Sequence, residues 1–397
     1  MVAISFRSRL LWSFRTPTMS SPSNDGDPNT PPSPQQLYNE LTHFFNAHPG
    51  HLLEIEVLPA GFPLQYGTSS PILQDGPNLG IPKKALVQAF LVARNTLFGA
   101  LELTRPNDRE AAEAMAATQV ILLFDPEHLT AANYRKRRLL HLRASRSSLT
   151  SESHFFIQNE LMYLESLLTS PLHRHTKSPT LWHHRRWLVK EFLDQICQVY
   201  SSSGGDSAGS REAFELLWRT ELEVVERSGA RHPKNYYAWS YVRWILGFIA
   251  ERDLSKPPED STWFLAECSA WRIHDWCLAH PTDISGWSFL VCLLQMMRHK
   301  PKCQREIFKS VWEFTSKFSW EGEAVWWFLR AVLTMEGIMP VGTRRQYFQS
   351  MLEGVQERSK VQALESNTDH TSSNYAVQAV RFCAKFRQLE GVPVDAG

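Results

Sequence analysis

Two stretches of the sequence decide its fold, Trp182-His-His-Arg-Arg-Trp-Leu188 and Pro233-Lys-Asn-Tyr-Tyr-Ala-Trp239. Their tryptophans belong to a column that holds Trp182, Trp239, Trp287 and Trp326, with Ala132 in the place of a fifth tryptophan. Successive members of the column are 50, 57, 48 and 39 residues apart. Helical hairpins in a repeat array have periods of this size. The column therefore predicts an all-α fold built from consecutive helical hairpins.

The residues four positions before the column predict where the second helix of each hairpin begins. They are His128, Ser178, Asn235, Asp283 and Gly322. Ser, Asn and Asp are preferred N-caps because a side-chain oxygen accepts a hydrogen bond from a free backbone N–H, and Gly is tolerated there. Three copies also carry a proline two positions earlier, in the turn that ends the preceding helix (Pro126, Pro233 and Pro281; Thr176 replaces it in the second copy). Each copy is thus a helix, a short turn, a cap and a second helix.

Two further columns follow the tryptophans on the same helix. Four positions after the column stand Lys136, Arg186, Arg243, Val291 and Arg330, and an apolar column follows at Leu139, Leu188, Ile245, Leu293 and Val332 or Leu333. We expect the tryptophans to fill the seam between adjacent hairpins. A basic residue one turn after each of them should lie flat and bond carboxylates or helix C-terminal carbonyls of its neighbour.

Composition along the chain predicts three parts. Residues 1–35 are expected to be a disordered tail, because residues 20–35 are rich in Ser, Pro, Asn and Asp. Residues 36–82 form an N-terminal extension with a short helix from Leu37 to Ala47, an extended segment from Leu52 to Leu58, and a loop from Pro59 to Pro82. Residues 83–390 form the repeat domain, with a flexible loop at 201–210 and closing helices at 343–364 and 373–389.

The charge balance argues against one class of partner. The chain has 42 basic and 41 acidic residues, so a general electrostatic grip on nucleic acid is not expected. No apolar run is long enough to predict a membrane span. The six cysteines show no CxxC spacing, and we expect them to be reduced in an intracellular protein. The first twenty residues carry three arginines and no acid, which is typical of a mitochondrial presequence, but a disordered tail or an upstream start before Met19 is favoured, with the protein in the cytoplasm.

The repeat motifs resemble those of protein prenyltransferase alpha subunits. The two stretches quoted first are close copies, and Pro126–Lys136 and Gly322–Arg330 are weaker ones. The repeat-containing branch of that family is also similar in Lys177–Arg186, Glu54–Pro59 and Ser70–Leu73. The resemblance covers about residues 40–335. It implies a right-handed α-α superhelix, a crescent of antiparallel hairpins that wraps a catalytic beta subunit.

The resemblance also implies a reaction and a set of site residues. In such enzymes a zinc-bound cysteine thiolate of the acceptor protein attacks a prenyl diphosphate, and the zinc belongs to the beta subunit. A lysine five residues before the second tryptophan reaches the diphosphate, and Lys177 stands at that position here. Lys234, Asn235, Tyr236 and Tyr237 match the substrate-facing motif of the third repeat, whereas Ser178-Pro179 replaces the family's Asn-Tyr in the second. A beta subunit of the Rab geranylgeranyltransferase type and a geranylgeranyl or farnesyl donor are the expected partners.

Two other functions stay open from the sequence. A non-catalytic helical scaffold for protein–protein interaction fits the departures from the family pattern, which include Ala132 in the tryptophan column and Val242 and Leu290 in place of arginine. A metal-dependent enzyme acting alone has less support. His173, His175, His183 and His184 are close in sequence, but the last two point about 100° apart on a helix, so this chain is expected to bind no metal or cofactor itself. An open face carrying Tyr236, Tyr237 and the tryptophans would favour a partner protein.

Overall fold

A computed structural model describes residues 31–59, 62, 70–104, 107–145, 151–200, 211–252, 258–297, 299–365 and 375–389. Across these ranges the chain is built from sixteen helices and three short strands. The all-α repeat fold predicted from the tryptophan column is therefore confirmed. The flexible loop predicted at 201–210 and most of the predicted tail lie outside the described residues. Within the described residues, no helix is long and apolar enough to cross a membrane.

The chain divides into two compact units. One contains residues up to Ser145 together with Asn159–Leu167, and the other contains Arg146–Gln158 and the chain from Leu168 onward. The three-part division predicted from composition, with a boundary at residue 83, stays a prediction.

The first unit begins with a helix that starts earlier than expected. Helix α1 spans Pro34–Ala47, and Ser33 caps it in a capping box with Gln36. Proline at the first helical position has no N–H to leave unpaired, so it favours this start. The expectation that disorder extends to residue 35 is thus wrong at its C-terminal end, because a Ser-Pro cap and a capping glutamine specify a helix there.

A small sheet follows helix α1. Strand β1 (Glu54–Leu58) pairs in parallel with β3 (Asn78–Pro82), which pairs antiparallel with β2 (Leu73–Asp75). The extended segment expected at 52–58 is confirmed. The predicted loop from Pro59 to Pro82 is wrong in its second half, because β2 and β3 form a hairpin whose turn contains Gly76 at φ 55°. Glycine adopts this left-handed conformation readily. Because glycine and proline are typical of loops, Gly76 and Pro77 led to the prediction of a loop here.

The rest of the first unit is helical. It contains α2 (Lys83–Glu102), α3 (Asp108–Phe124), α4 (Leu129–Ser145) and part of α5 (Ser151–Leu168). Helix α2 packs on α1 and α3. Ala132 of the tryptophan column is buried in α4. Arg135 on α4 forms a two-point ion pair with Glu160 of α5 and also donates to the Thr118 hydroxyl.

The second unit contains the remaining repeats. Its helices are α6 (His173–Thr176), α7 (Pro179–Glu191), α8 (Leu193–Tyr200), α9 (Arg211–Arg231), α10 (Tyr236–Ala250), α11 (Pro258–Ala279), α12 (Ile284–Met296), α13 (Pro301–Lys317), α14 (Glu323–Leu333), α15 (Val341–Glu365) and α16 (Tyr375–Leu389). Helix α10 packs on α7, α9, α11 and α12, and α12 packs on α14. Two closing helices, α15 and α16, stand where the sequence predicts them. The apolar residues of the repeat helices face this packing, including the predicted apolar column, which is buried throughout.

The predicted caps are in place. Ser178, Asn235, Asp283 and Gly322 are the N-caps of α7, α10, α12 and α14. His128 precedes α4, and its Nδ1 accepts a hydrogen bond from the Ala131 N–H at 3.2 Å. The four column tryptophans, one turn further on, are all buried. The regular cap-to-tryptophan spacing therefore fixes the turns between the helices, and the candidate site lies at two of these turns.

Candidate functional site

The turn of the second repeat holds Lys177 between two helices. Lys177 is the C-cap of the short helix α6, and the next residue, Ser178, caps α7 by accepting the Leu181 N–H at 3.0 Å. Pro179 occupies the first position of α7. Ser178 is buried, whereas Lys177 is half-buried. The Ser-Pro sequence that replaces the family's Asn-Tyr therefore builds a regular helix start and leaves the lysine at its edge.

Asn235 holds the turn of the third repeat from inside. Its side chain is wholly buried and caps α10, with Oδ1 accepting the Ala238 N–H at 3.3 Å. Its Nδ2 donates to the Thr176 carbonyl at 2.8 Å and to the Ser228 hydroxyl at 2.9 Å. Both ends of the amide are thus used within the protein. We therefore correct the expectation that Asn235 contacts substrate: it positions the turn.

Lys234 has an unusual backbone. Its φ is 61°, in the left-handed region where side chains other than glycine are uncommon. The Asp283 carboxylate accepts the Lys234 N–H through Oδ2 at 2.8 Å. Because Asp283 is also the cap of α12, the cap of the fourth repeat holds the turn of the third in this conformation. The Lys234 side chain is exposed.

The Lys177 side chain joins the two turns. Its Nζ donates a hydrogen bond to the Pro233 carbonyl oxygen at 2.9 Å. Residues predicted in two different repeats are thus brought to one place, 56 positions apart in sequence. The ammonium group thus contacts the turn of the third repeat at the residue that directly precedes Lys234.

A cluster of basic groups that includes Lys177 surrounds His232. The rings of His173 and His232 meet edge to face, with centroids 5.2 Å apart, and His232 Nε2 donates to the Pro171 carbonyl at 3.0 Å. Burial lowers the pKa of His232, the hydrogen bond that its ring donates to the Pro171 carbonyl raises it, and the positive charges of His173, Lys177 and Arg231 lower it. An anion bound here would offset these positive charges and favour the protonated form of His232. We call His173, Lys177, Arg231 and His232 the basic cluster.

Two members of the basic cluster were not identified as site residues from the sequence. Arg231 and His232 end α9 and directly precede Pro233, so they are neighbours of a motif that the sequence did single out. His173 was considered only as a metal ligand. Among the described residues there is no group of three or more His, Cys, Asp or Glu side chains placed to hold a metal ion. Of the other two histidines on α7, His183 is exposed and His184 is buried.

Two tyrosines stand on the first turn of α10, four and five residues after His232. Tyr236 is 68% exposed and Tyr237 38%, and their rings meet edge to face at 5.8 Å. The tryptophans that were expected to share an open face with them are buried instead, because they fill the seams between helices. The exposed aromatic surface at this site is therefore formed by the tyrosines.

The basic residues four positions after the tryptophans lie on aromatic rings. Arg186 lies over Trp244 at 4.6 Å, Arg243 over Phe289 at 5.6 Å, and Arg330 over Phe382 at 5.0 Å. Arg243 also donates to the Trp239 carbonyl at 2.9 Å and to the Ser288 hydroxyl at 3.0 Å. The expected carboxylate partners belong instead to the column one position earlier, where Arg135 and Arg185 pair with Glu160 and Glu221.

Comparison with protein families matches two parts of the chain. Residues 157–192, which contain the Lys177 turn, match the protein prenyltransferase alpha subunit repeat. Residues 210–315, which contain the Lys234 turn, match the ECM9 middle domain. The two turns of the candidate site thus fall in segments that match different family models.

Similar proteins cover a larger part of the chain. Protein prenyltransferase alpha subunit repeat-containing protein 1 from Danio rerio is 29% identical over 281 residues, which is 70% of this chain and 59% of that protein. The Homo sapiens protein of the same name is 26% identical over 264 residues, 66% of this chain and 58% of its own length. The alignment thus spans under two thirds of these relatives. The geranylgeranyl transferase type-2 subunit alpha of Rattus norvegicus is 27% identical over 184 residues, 46% of this chain and 25% of that protein. The repeat match and these relatives confirm the resemblance of the chain to protein prenyltransferase alpha subunits.

Proposed function

We propose that the chain is the alpha subunit of a heterodimeric protein prenyltransferase, and that its basic cluster binds the diphosphate of the prenyl donor. The observation that carries the proposal is the position of Lys177. Its ammonium group joins two repeat turns through the Pro233 carbonyl, and its positive charge, with those of His173 and Arg231, acts on His232. A diphosphate bound here would offset the positive charges that now act on His232.

The proposed reaction is thioether formation. The sulfur of a cysteine thiolate on the acceptor protein forms a bond to C1 of the prenyl diphosphate, the bond from C1 to oxygen breaks, and pyrophosphate leaves with the electron pair. Negative charge grows on the leaving oxygen, and a fixed ammonium group there stabilises the transition state more than the ground state. Lys177 is the residue of this chain that we assign to that role, with Lys234, Tyr236 and Tyr237 beside it as candidate contacts for the donor.

The remaining parts of the active site are expected in a beta subunit. The resemblance to protein prenyltransferase alpha subunits assigns the zinc, which would lower the pKa of the acceptor thiol, to the partner. A beta subunit of the Rab geranylgeranyltransferase type is favoured, since relatives of the chain are named geranylgeranyl transferase type-2 subunit alpha. The proposal includes a geranylgeranyl donor and a location in the cytoplasm.

One observation favours a second function, that of a non-catalytic scaffold. The Lys177 ammonium already has a partner within the chain, the Pro233 carbonyl. A lysine that bridges two turns stabilises the repeat array whether or not a diphosphate ever binds. The two functions therefore differ in whether Lys177 affects turnover or only stability.

The first test is assembly. The full chain is co-expressed with a Rab-type geranylgeranyltransferase beta subunit, and the mass of the product is measured by light scattering after size exclusion. A stable heterodimer is expected. If the chain stays free of every prenyltransferase beta subunit that is tried, the enzyme function is excluded and the scaffold function stands.

The second test separates catalysis from stability within the complex. Lys177→Ala should assemble normally and slow turnover by about 100-fold, as when one preorganised hydrogen-bond donor to a developing negative charge is removed. Lys190→Ala is the matched control, because Lys190 is an exposed lysine in the last turn of α7, the helix that follows Lys177. Equal turnover in the two variants would remove the catalytic role of Lys177.

A further inference from the structure

Three of the four column tryptophans make the same hydrogen bond. In three repeats the indole N–H donates to the carbonyl six residues earlier, in the turn that precedes the helix. The pairs are Trp182 with Thr176 at 2.8 Å, Trp287 with Pro281 at 3.2 Å, and Trp326 with Trp320 at 2.8 Å. This bond ties the first turn of each second helix to the turn before it.

The third repeat breaks the pattern. Trp239 is wholly buried like Trp287, but its indole N–H has no hydrogen-bond partner. The carbonyl at the matching position, six residues earlier, is that of Pro233, and it accepts the Lys177 ammonium instead. A buried donor without a partner is costly. Among these four repeats, the third therefore lacks a favourable hydrogen bond that the other three have.

Asp283 accounts for the exception. The Pro233 carbonyl and the Lys234 N–H belong to one trans peptide unit, so they point in opposite directions. Asp283 Oδ2 accepts the Lys234 N–H at 2.8 Å, and this turns the Pro233 carbonyl toward Lys177. The caps that follow the other turns do not accept a backbone N–H from the turn in this way. Asn235 instead donates to the Thr176 carbonyl, and Gly322 has no side chain.

We infer that Trp239 is a positioning residue for the diphosphate site, a role that rests on the function proposed above for Lys177. When a diphosphate takes the Lys177 ammonium, the Pro233 carbonyl loses its donor. The vacant Trp239 indole N–H then donates to that carbonyl, as its counterparts do in the other three repeats. The exchange offsets the loss of the bond between Lys177 and Pro233, so the lysine is released to the anion with little penalty.

The first experiment measures the affinity of the full chain, in its beta-subunit complex, for inorganic pyrophosphate by calorimetry. Trp239→Phe removes the N–H and keeps an aromatic ring, and it should weaken binding about three- to tenfold, the value of one hydrogen bond. Trp287→Phe is the matched control, because that tryptophan is equally buried but its N–H donates to a turn away from Lys177. Its pyrophosphate affinity should equal that of the wild type.

A second measurement does not depend on the folding of Trp239→Phe. Indole N–H signals are recorded by NMR with ¹⁵N-labelled tryptophan, and pyrophosphate should move one of them downfield as its proton enters a hydrogen bond. Lys177→Met, which also frees the Pro233 carbonyl, should move the same signal without any anion. Lys190→Met should leave the spectrum unchanged.

The outcomes separate this inference from the proposed function. If Lys177→Met abolishes pyrophosphate binding while Trp239→Phe binds like the wild type and no indole signal moves, the role of Trp239 is wrong and that of Lys177 stands. If the wild-type complex fails to bind pyrophosphate, the proposed diphosphate site and the role of Trp239 are both wrong.

Discussion

The guanidinium group of Arg185 forms a two-point ion pair with the carboxylate of Glu221, and neither side chain is exposed to solvent. Nε to Oε2 measures 2.7 Å, and Nη2 to Oε1 measures 2.9 Å. The Tyr241 hydroxyl donates to the same carboxylate at 2.7 Å. The pair joins the second helix of one repeat to the first helix of the next. Since the cost of burying two charges is met only when both are present, the pair acts as a single unit.

Breaking this pair should be strongly destabilising. Arg185→Met leaves Glu221 buried without its cation, and we expect a loss of about 3–5 kcal/mol in the free energy of unfolding. The double variant Arg185→Met with Glu221→Leu should recover most of that loss, since Val242 and Leu290 occupy the corresponding position in later repeats and are fully buried. Urea unfolding measures both. Arg109→Ala, in the exposed pair with Glu113, should have no measurable effect. A double variant no more stable than the single one would contradict this view.

Gly286 is required by the tryptophan that packs against it. A Cβ at this position would lie 2.5 Å from Cζ3 of Trp276 and 3.3 Å from Cζ2 of Trp239. Gly286→Ala should therefore lower the free energy of unfolding by about 1–3 kcal/mol, the usual cost of overpacking a core. Gly247→Ala is the matched control on helix α10, where an added Cβ meets no atom within 4 Å. It should stabilise the protein by about 0.5–1 kcal/mol, because alanine is the better helix former. Equal shifts in denaturation midpoint would refute the packing argument.

Asp283 should matter more than an ordinary N-cap. Its Oδ1 accepts the N–H groups of Ser285 and Gly286, and its Oδ2 accepts that of Lys234 in the preceding repeat. Ser178 caps α7 by accepting the Leu181 N–H, so Ser178→Ala should cost about 1 kcal/mol. Asp283→Ala should cost about 1 kcal/mol more, the value of an additional hydrogen bond. Thermal unfolding of the two variants measures the difference, and a smaller loss for Asp283→Ala would show that the bond to Lys234 contributes nothing.

His232 should make stability depend on pH. Its folded-state pKa lies below the usual value, chiefly because of burial and then because of the charges of His173, Lys177 and Arg231. The neutral ring is thus favoured by folding. Its contribution is fully present above the unfolded pKa of about 6.5 and is lost as pH falls through the lower folded value. The melting temperature of the wild type should therefore fall more between pH 8 and pH 5 than that of His232→Gln, which can still donate to Pro171. Parallel curves would exclude this titration.

Local sequence signals predicted the parts of the fold that depend on a few neighbouring residues. The caps at Ser178, Asn235 and Asp283 were predicted correctly because a cap is decided within one helical turn. The tryptophans fill the seams between helices as their size predicts, whereas the expectation that they share an open face with the tyrosines was wrong. The hairpin of β2 and β3 was missed, because strand pairing is not local and Gly76 with its proline neighbour reads as a loop.

The candidate site was predicted only in outline for a similar reason. Lys177 was identified by a resemblance, but its contact with Pro233 joins turns that are far apart in the sequence. The arginines show a related error, since Arg185 and Arg186 differ by about 100° around the helix axis. That rotation places one on a buried carboxylate and the other on the face of Trp244. The sequence shows only that both residues are basic, and their contacts with α9 and α10 distinguish them.

The hydrogen bonds that run backward from the caps of α10 and α12 have a consequence for how the array comes apart. Asn235 is hydrogen-bonded to the turn at Thr176, and Asp283 to the turn at Lys234. Gly322 has no side chain that could form a corresponding bond. Coupling between neighbours in a one-dimensional array decides how far local opening spreads. Opening that begins at α14 can therefore stop at Gly322, while opening at α10 must carry its neighbours with it. Amide hydrogen exchange should accordingly divide the array at this glycine, with the helices before it protected as one cooperative block and those after it fraying independently.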